Sequence, residues 1–201
     1  MEIRTFVEGD IRTNTYVCYE EDGSCFIVDP AIDYKPLDEF LKAQKLTPSY
    51  VLLTHGHGDH TEGIPGLKEQ YPDLKLGASI KEEDFLAHNY RRYGRKDIKA
   101  DLWIKDGDEL KVGSIDVRFF STPGHTPGGM CIYVEKDGVL FSGDTLFFCS
   151  VGRSDLPGGD TVDLMNSIKT KLFVLPEETK VYPGHMGETT IGYEMRNNPF
   201  V

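Results

Sequence analysis

Tyr50-Val51-Leu52-Leu53-Thr54-His55-Gly56-His57-Gly58-Asp59-His60 joins a short apolar run to a cluster of metal-type ligands with almost no spacer. Tyr50 to Leu53 has the length and apolar content of a buried strand. Three histidines and a carboxylate then fall within six residues. Imidazole nitrogens and carboxylate oxygens are ligands of zinc and related divalent ions. Gly56 and Gly58 let the backbone turn sharply, so several of these side chains can converge on one point.

Further along the chain, His125 lies in Thr122-Pro123-Gly124-His125-Thr126, and His185 in Tyr182-Pro183-Gly184-His185. Asp144 lies in Phe141-Ser142-Gly143-Asp144-Thr145. Each follows an apolar strand and a glycine corner. Five of the six histidines therefore sit on Gly-containing loops after strands, and only His88 falls within a charged helical segment. Any one of them alone would read as structural or solvated. Together they supply enough ligands for two metal ions and a carboxylate able to bridge them.

The rest of the pattern alternates between strand and helix signals. Strands are expected over Ile3 to Val7, Asn14 to Glu20 and Cys25 to Val28, with a turn at Glu21-Asp22-Gly23-Ser24. Leu37, Phe40, Leu41 and Leu46 recur at helical spacing. A helix is expected from Ile64 to Tyr71, a strand from Leu74 to Gly77 and a charged helix over 80–95. Strands with glycine turns follow from Leu102 to Phe148. Then come a Gly/Pro-rich loop over 152–160, a helix from Thr161 to Phe173, a strand from Lys180 to Tyr182 and a closing helix from Thr189 to Arg196. Two long runs of strands, each followed by helices, predict an α+β arrangement of two stacked sheets with helices outside.

The 201 residues and 39% hydrophobic content suit one domain spanning 1–201. Such a domain buries roughly 70% of its unfolded surface, which excludes disorder as the main state. Thirty-three acidic against 22 basic residues give a net charge of −11, which argues against nucleic acid as a partner. No apolar run reaches the roughly 20 residues needed to cross a bilayer. Met1-Glu2-Ile3-Arg4-Thr5 does not read as a signal peptide. Cys18, Cys25, Cys131 and Cys149 form no Cys-x-x-Cys pair; small buried thiols in a reducing cytoplasm are expected, although Cys18 and Cys25 could face each other across a hairpin.

The ordered set His55-Gly56-His57-Gly58-Asp59-His60, His125, Asp144 and His185 resembles the metallo-β-lactamase superfamily over nearly the whole chain. The resemblance implies an αββα four-layer sandwich of two mixed sheets with helices outside. It implies that His55, His57 and His125 hold one ion, that Asp59, His60 and His185 hold a second, and that Asp144 bridges them. Two divalent ions are expected, zinc first, with iron or manganese compatible with the same ligands.

Phe141-Ser142-Gly143-Asp144-Thr145-Leu146-Phe147 is similar to the glyoxalase II branch, the hydroxyacylglutathione hydrolases. Aspartate at 144 argues against the common dizinc β-lactamases, which carry cysteine there. The resemblance implies hydrolysis of a thioester, S-D-lactoylglutathione or a related acyl-thiol, by a metal-bridging hydroxide that Asp59 orients as catalytic residue. The stretch Gly152-Arg153-Ser154-Asp155 also resembles persulfide dioxygenases, which use one iron, and lactonases of the same superfamily are a further alternative.

Longer glyoxalase II enzymes carry a C-terminal helical domain that makes most of the glutathione contacts. This chain ends at Val201, so those contacts do not carry over. The substrate-binding candidates are Arg153, Arg91 and Arg92, the last two within a basic stretch able to meet carboxylates. The expected partner is a small-molecule thioester, with neither nucleic acid nor membrane.

Overall fold

The structure is a computed structural model. It describes residues 1–31, 35–92 and 98–201, with side chains left aside over 88–92.

The first sheet takes its strands in chain order: β1 (Glu2–Glu8), β2 (Thr13–Tyr19), β3 (Cys25–Val28), β4 (Tyr50–Leu52), β5 (Lys75–Ser79) and β6 (Leu102–Ile104). β1, β2 and β3 pair antiparallel, and β3 to β6 pair parallel. Parallel neighbours need crossovers. These contain α1 (Lys35–Gln44), the pair α2 (Gly58–Thr61) and α3 (Ile64–Gln70), and α4 (Glu83–Arg92). This half therefore alternates strand and helix more strictly than the sequence pattern suggested.

The second sheet begins with the antiparallel strands β7 (Glu109–Val112), β8 (Ile115–Ser121), β9 (Met130–Val134) and β10 (Val139–Gly143). A small ribbon, β11 (Leu146–Phe147) with β12 (Ser150–Val151), leads to α5 (Thr161–Ser167). The Asp160 carboxylate caps α5 by accepting from the amides of Val162 and Asp163. A wider π turn over Ile168–Leu172 completes the expected helix. β13 (Lys180–Pro183) inserts parallel to β10, and β14 (Thr189–Thr190) closes the edge before α6 (Ile191–Asn197). The expected helix from Thr189 begins two residues later because Thr189 and Thr190 pair with β13. The Thr190 hydroxyl then caps α6 at the Tyr193 amide.

The period of two along each strand separates three cores. Phe26, Val28 and Leu52 point inward to meet Phe119, Ile132 and Phe141 of the other sheet. Ile27, Val51 and Leu76 point outward under Leu37, Leu41, Ile64 and Leu67 of the helices. Leu140 and Val181 pack under Leu164, Ile168 and Ile191 on the far side. The result is the expected αββα sandwich.

The same alternation settles the cysteine pair. Cys18 lies opposite Phe26 and belongs to the inner core, whereas Cys25 lies opposite Tyr19 and belongs to the outer one. They occupy opposite faces, so they do not face each other. Burial pushes the Cys25 thiol up to about 12 and the Cys131 thiol to about 11.

Candidate metal centre

The residues that end β4 and β10 meet across the two sheets at Thr54 and Gly143. Gly143 has φ +50°, and a Cβ there would lie 2.3 Å from Thr54 Oγ1. Only glycine allows this contact, which sets Asp144 beside His55. The register between β10 and β13 slips between Phe141 and Gly143, and such irregularities re-aim the following side chain. Gly184 donates to the Gly143 carbonyl at 2.8 Å, bringing His185 to the same point. Gly124 has φ +135°, and a Cβ there would strike the Leu164 backbone at 2.3 Å. The loop carrying His125 is thus seated on α5.

All seven sequence-predicted ligand residues meet here. Ring nitrogens of His55, His57 and His125 form one group, and Asp59, His60 and His185 form another. His57 Nδ1 lies 3.0 Å from His55 Nε2 and 2.9 Å from His125 Nε2. Asp144 spans the two groups. Its Oδ2 is 3.4 Å from His125 Nε2 and 3.5 Å from His185 Nε2, and its Oδ1 is 3.5 Å from His60 Nε2.

The outer nitrogens show that these are converging lone pairs. His125 Nδ1 donates to the Arg153 carbonyl at 2.6 Å, and His185 Nδ1 to the Ile11 carbonyl at 3.1 Å. His60 Nδ1 donates to Asp29 Oδ2 at 2.9 Å. The Thr54 hydroxyl gives its proton to Asp29 Oδ2 at 2.6 Å, so at 3.1 Å from His55 Nδ1 it acts as acceptor. In each neutral ring the second nitrogen therefore presents a lone pair inward. His60 Nε2 and Asp144 Oδ1 are buried without a hydrogen-bond partner. Imidazole nitrogens and carboxylate oxygens converging in this way are a set that a divalent cation satisfies, and outer partners of this kind orient metal-ligating histidines.

Three supporting residues escaped the sequence reading. Asp29-Pro30 reads as a strand-closing turn, yet Asp29 is buried and accepts from His60, the Thr54 hydroxyl and the Thr54 amide. Asp29, His55 and His60 also lie close enough to resemble a third ligand group. Those three donors already occupy the Asp29 carboxylate, so it orients ligands and does not bind a metal. The parallel pairing of Val28 with Leu52 was the available signal, since it carries residue 29 toward the end of β4. Thr13 donates its hydroxyl to Asp59 Oδ2 at 2.8 Å. Glu82 is buried and accepts from the Gly56 and Gly128 amides, both at 2.8 Å, tying the two ligand loops together. Nothing local in the sequence marks Glu82.

Asp29→Asn is expected to lower metal affinity or turnover by roughly 10- to 100-fold, since the amide offers one acceptor where three donors converge. Metal titration of the variant against the parent measures this.

Burial and neighbouring histidines hold His55 well below its ordinary pKa and His57 down to about 4. Burial also opposes protonation of His60 and His185, but the carboxylates outweigh it. Asp144, Asp29 and Asp59 hold His60 well above its ordinary value, and Asp144 with Asp59 raises His185 to about 10. Asp59 and Asp144 are lowered, with burial opposing and the histidines prevailing. Near neutral pH His55 and His57 are unprotonated and ready to bind metal, whereas His60 and His185 must release protons. The second equivalent of metal is therefore expected to weaken by about tenfold or more per unit fall in pH, more steeply than the first. Calorimetric titration at several pH values tests this; equal weakening of both equivalents would contradict it.

The site opens into a cleft of about 890 Å³. Arg153 lines it, with its guanidinium in a two-bond pair with Asp155. Arg153 thus contributes a backbone carbonyl to His125 and a neutralised side chain to the rim. Arg91 and Arg92 end α4, and their side chains lie outside the described residues. Asn14 also lines the cleft but bonds the carbonyls of Pro183 and Met186, as a backbone-bracing residue should.

A four-layer sandwich with a His/Asp cluster at the strand ends is the architecture of one large group of metallo-hydrolases. The chain belongs to the metallo-beta-lactamase superfamily, whose family model matches residues 9–185. It is 33% identical to hydroxyacylglutathione hydrolase GloC of Haemophilus influenzae, over 94% of this chain and 93% of that protein. Among solved structures, BLEG-1 B3 metallo-beta-lactamase is 39% identical with a TM-score of 0.91, covering 99% of both chains. TTHA1623 in a di-iron-bound form is 33% identical with a TM-score of 0.86, covering 98% of this chain and all (100%) of that one.

Proposed function

We propose that this chain is a metal-dependent thioesterase of the glyoxalase II type, acting on S-D-lactoylglutathione or a related acyl-thiol. The observation that carries the metal reading is the convergence of five imidazoles, of which His55, His60, His125 and His185 commit their outer nitrogens to protein acceptors. In this reading His55, His57 and His125 hold one divalent ion, Asp59, His60 and His185 hold a second, and Asp144 lies between. Zinc is the first expectation, and the di-iron form of TTHA1623 supports iron as a metal that such a site accommodates. Bound there, two divalent ions supply a water that deprotonates near neutral pH and a Lewis acid for the carbonyl.

The chain's own residues do the rest. Thr13 holds Asp59 Oδ2, so that the carboxylate faces the cleft floor and can orient the attacking water. Water oxygen bonds to the carbonyl carbon, the carbon–sulfur bond breaks, and the water proton passes to Asp59. The leaving thiolate has an ordinary pKa near 8.5 and departs without a dedicated acid. The likeness to GloC supports a thioester substrate, and the likeness to BLEG-1 B3 metallo-beta-lactamase makes a β-lactam the competitor to test against it. The free cysteines and the net charge of −11 support a small-molecule substrate in the cytoplasm.

The test is a substrate panel run on metal-loaded protein: S-D-lactoylglutathione, a β-lactam, a lactone, and glutathione persulfide with oxygen. Preferential turnover of the thioester is expected. Faster turnover of any other substrate would replace this reading.

A further inference from the structure

The cleft is unevenly furnished. Its walls are largely apolar, with Val7 and Ile11 from the β1–β2 hairpin, Met186 from the His185 loop, and Phe147, Val151 and Leu156 opposite. Asp59 and Asp144, the carboxylates lining it, are turned into the histidine cluster. Two arginines line it, Arg12 and Arg153, and Arg153 is already paired with Asp155. Arg12 has no carboxylate partner among the described residues, in a chain where acidic residues outnumber basic ones 33 to 22.

Arg12 is also placed with unusual care. Its φ of +58° is left-handed, a conformation disfavoured for residues other than glycine. Its amide closes the hairpin turn onto the Gly9 carbonyl. On either side of it the hairpin is fastened to the ligand loop. His185 Nδ1 donates to the Ile11 carbonyl, Thr13 bridges His185, and the Asn14 amide donates to the Gly184 carbonyl at 2.7 Å. Met186, the other left-handed residue lining this cleft, follows His185 directly at φ +69°. The hairpin tip is thus registered to the metal centre, and Arg12 is exposed at the mouth above it.

We infer that Arg12 binds a carboxylate on the thiol half of the substrate and so selects anionic thioesters over neutral ones. The inference rests on the thioesterase reading. The scissile carbonyl must reach the histidine cluster, and a short acyl group such as lactoyl ends close to it. An anion that reaches the mouth therefore belongs to the thiol half, where glutathione carries two carboxylates. A guanidinium suits such a group because it forms paired, charge-assisted hydrogen bonds.

The test compares S-D-lactoylglutathione with S-D-lactoyl-N-acetylcysteamine, which has the same acyl group on an uncharged thiol. Arg12→Asn removes the charge while tolerating the left-handed backbone, and Arg12→Gly serves if asparagine perturbs folding. The preference for the glutathione thioester, as a ratio of kcat/KM values, is expected to fall about tenfold, through KM more than kcat. Arg12→Lys is expected to restore part of it. A parent that hydrolyses both substrates, with a ratio unmoved by Arg12→Asn, would overturn the assignment of Arg12 alone. A fully metal-loaded parent that hydrolyses neither would overturn the thioesterase reading and this inference with it.

Discussion

Asp144→Ala is expected to leave a folded protein that loads no more than one divalent ion per chain and loses turnover roughly a thousandfold, about 4 kcal/mol of transition-state stabilisation. Asp144 is the carboxylate whose oxygens reach both ligand groups, at 3.4 Å from His125 and 3.5 Å from His60 and His185. Its Oδ1 is buried without a hydrogen-bond donor, so removing it deletes an unsatisfied acceptor and need not cost stability. The substitution therefore separates metal loading from folding. Metal analysis, thermal melting and kcat/KM on one preparation check the three parts. Two ions per chain together with the parent rate would refute the bridging role.

Gly184→Ala is expected to cost about a hundredfold or more in turnover and to weaken the second metal selectively. A Cβ at 184 would lie 2.3 Å from Asp144 Oδ1 and 2.8 Å from His60 Cε1. Neither group can retreat easily, since His60 is fully buried and bonded to Asp29. The backbone cannot retreat either: Gly184 donates to the Gly143 carbonyl at 2.8 Å and accepts from the Asn14 amide at 2.7 Å. One methyl group thus enters the space that the ligands share. Metal titration reads the effect directly. Parent affinity for both equivalents would mean that the ligand loop is softer than these bonds imply.

Much of this was legible in the sequence, for physical reasons. His55 to His60 are contiguous, so their chemistry shows without knowledge of the fold. His125, Asp144 and His185 stand out because each follows an apolar strand and a glycine corner, the local signature of a chain turning at a strand end. The stacked sheets with helices outside follow from two runs of strands each followed by helices, and the four-layer form is implied by the family resemblance.

What stayed hidden acts across long sequence separations. Asp29 looks like an ordinary turn residue beside Pro30, and its role appears only when β3 and β4 lie in register. Glu82 matters because two distant amides, of Gly56 and Gly128, converge on it. Arg12 lies between two expected strands without any motif, and its place shows only when the hairpin is fastened to His185. Within the motif itself, Gly58–Thr61 forms a helical turn that two glycines had disguised as loop.

The most direct measurement is reconstitution. The protein is stripped of metal with a chelator, zinc is added back in known equivalents, and S-D-lactoylglutathione hydrolysis is followed at each point. Activity should be absent from the stripped protein and rise to a plateau at two ions per chain. Full activity at one equivalent, or none when both equivalents are bound, would contradict a two-metal thioesterase.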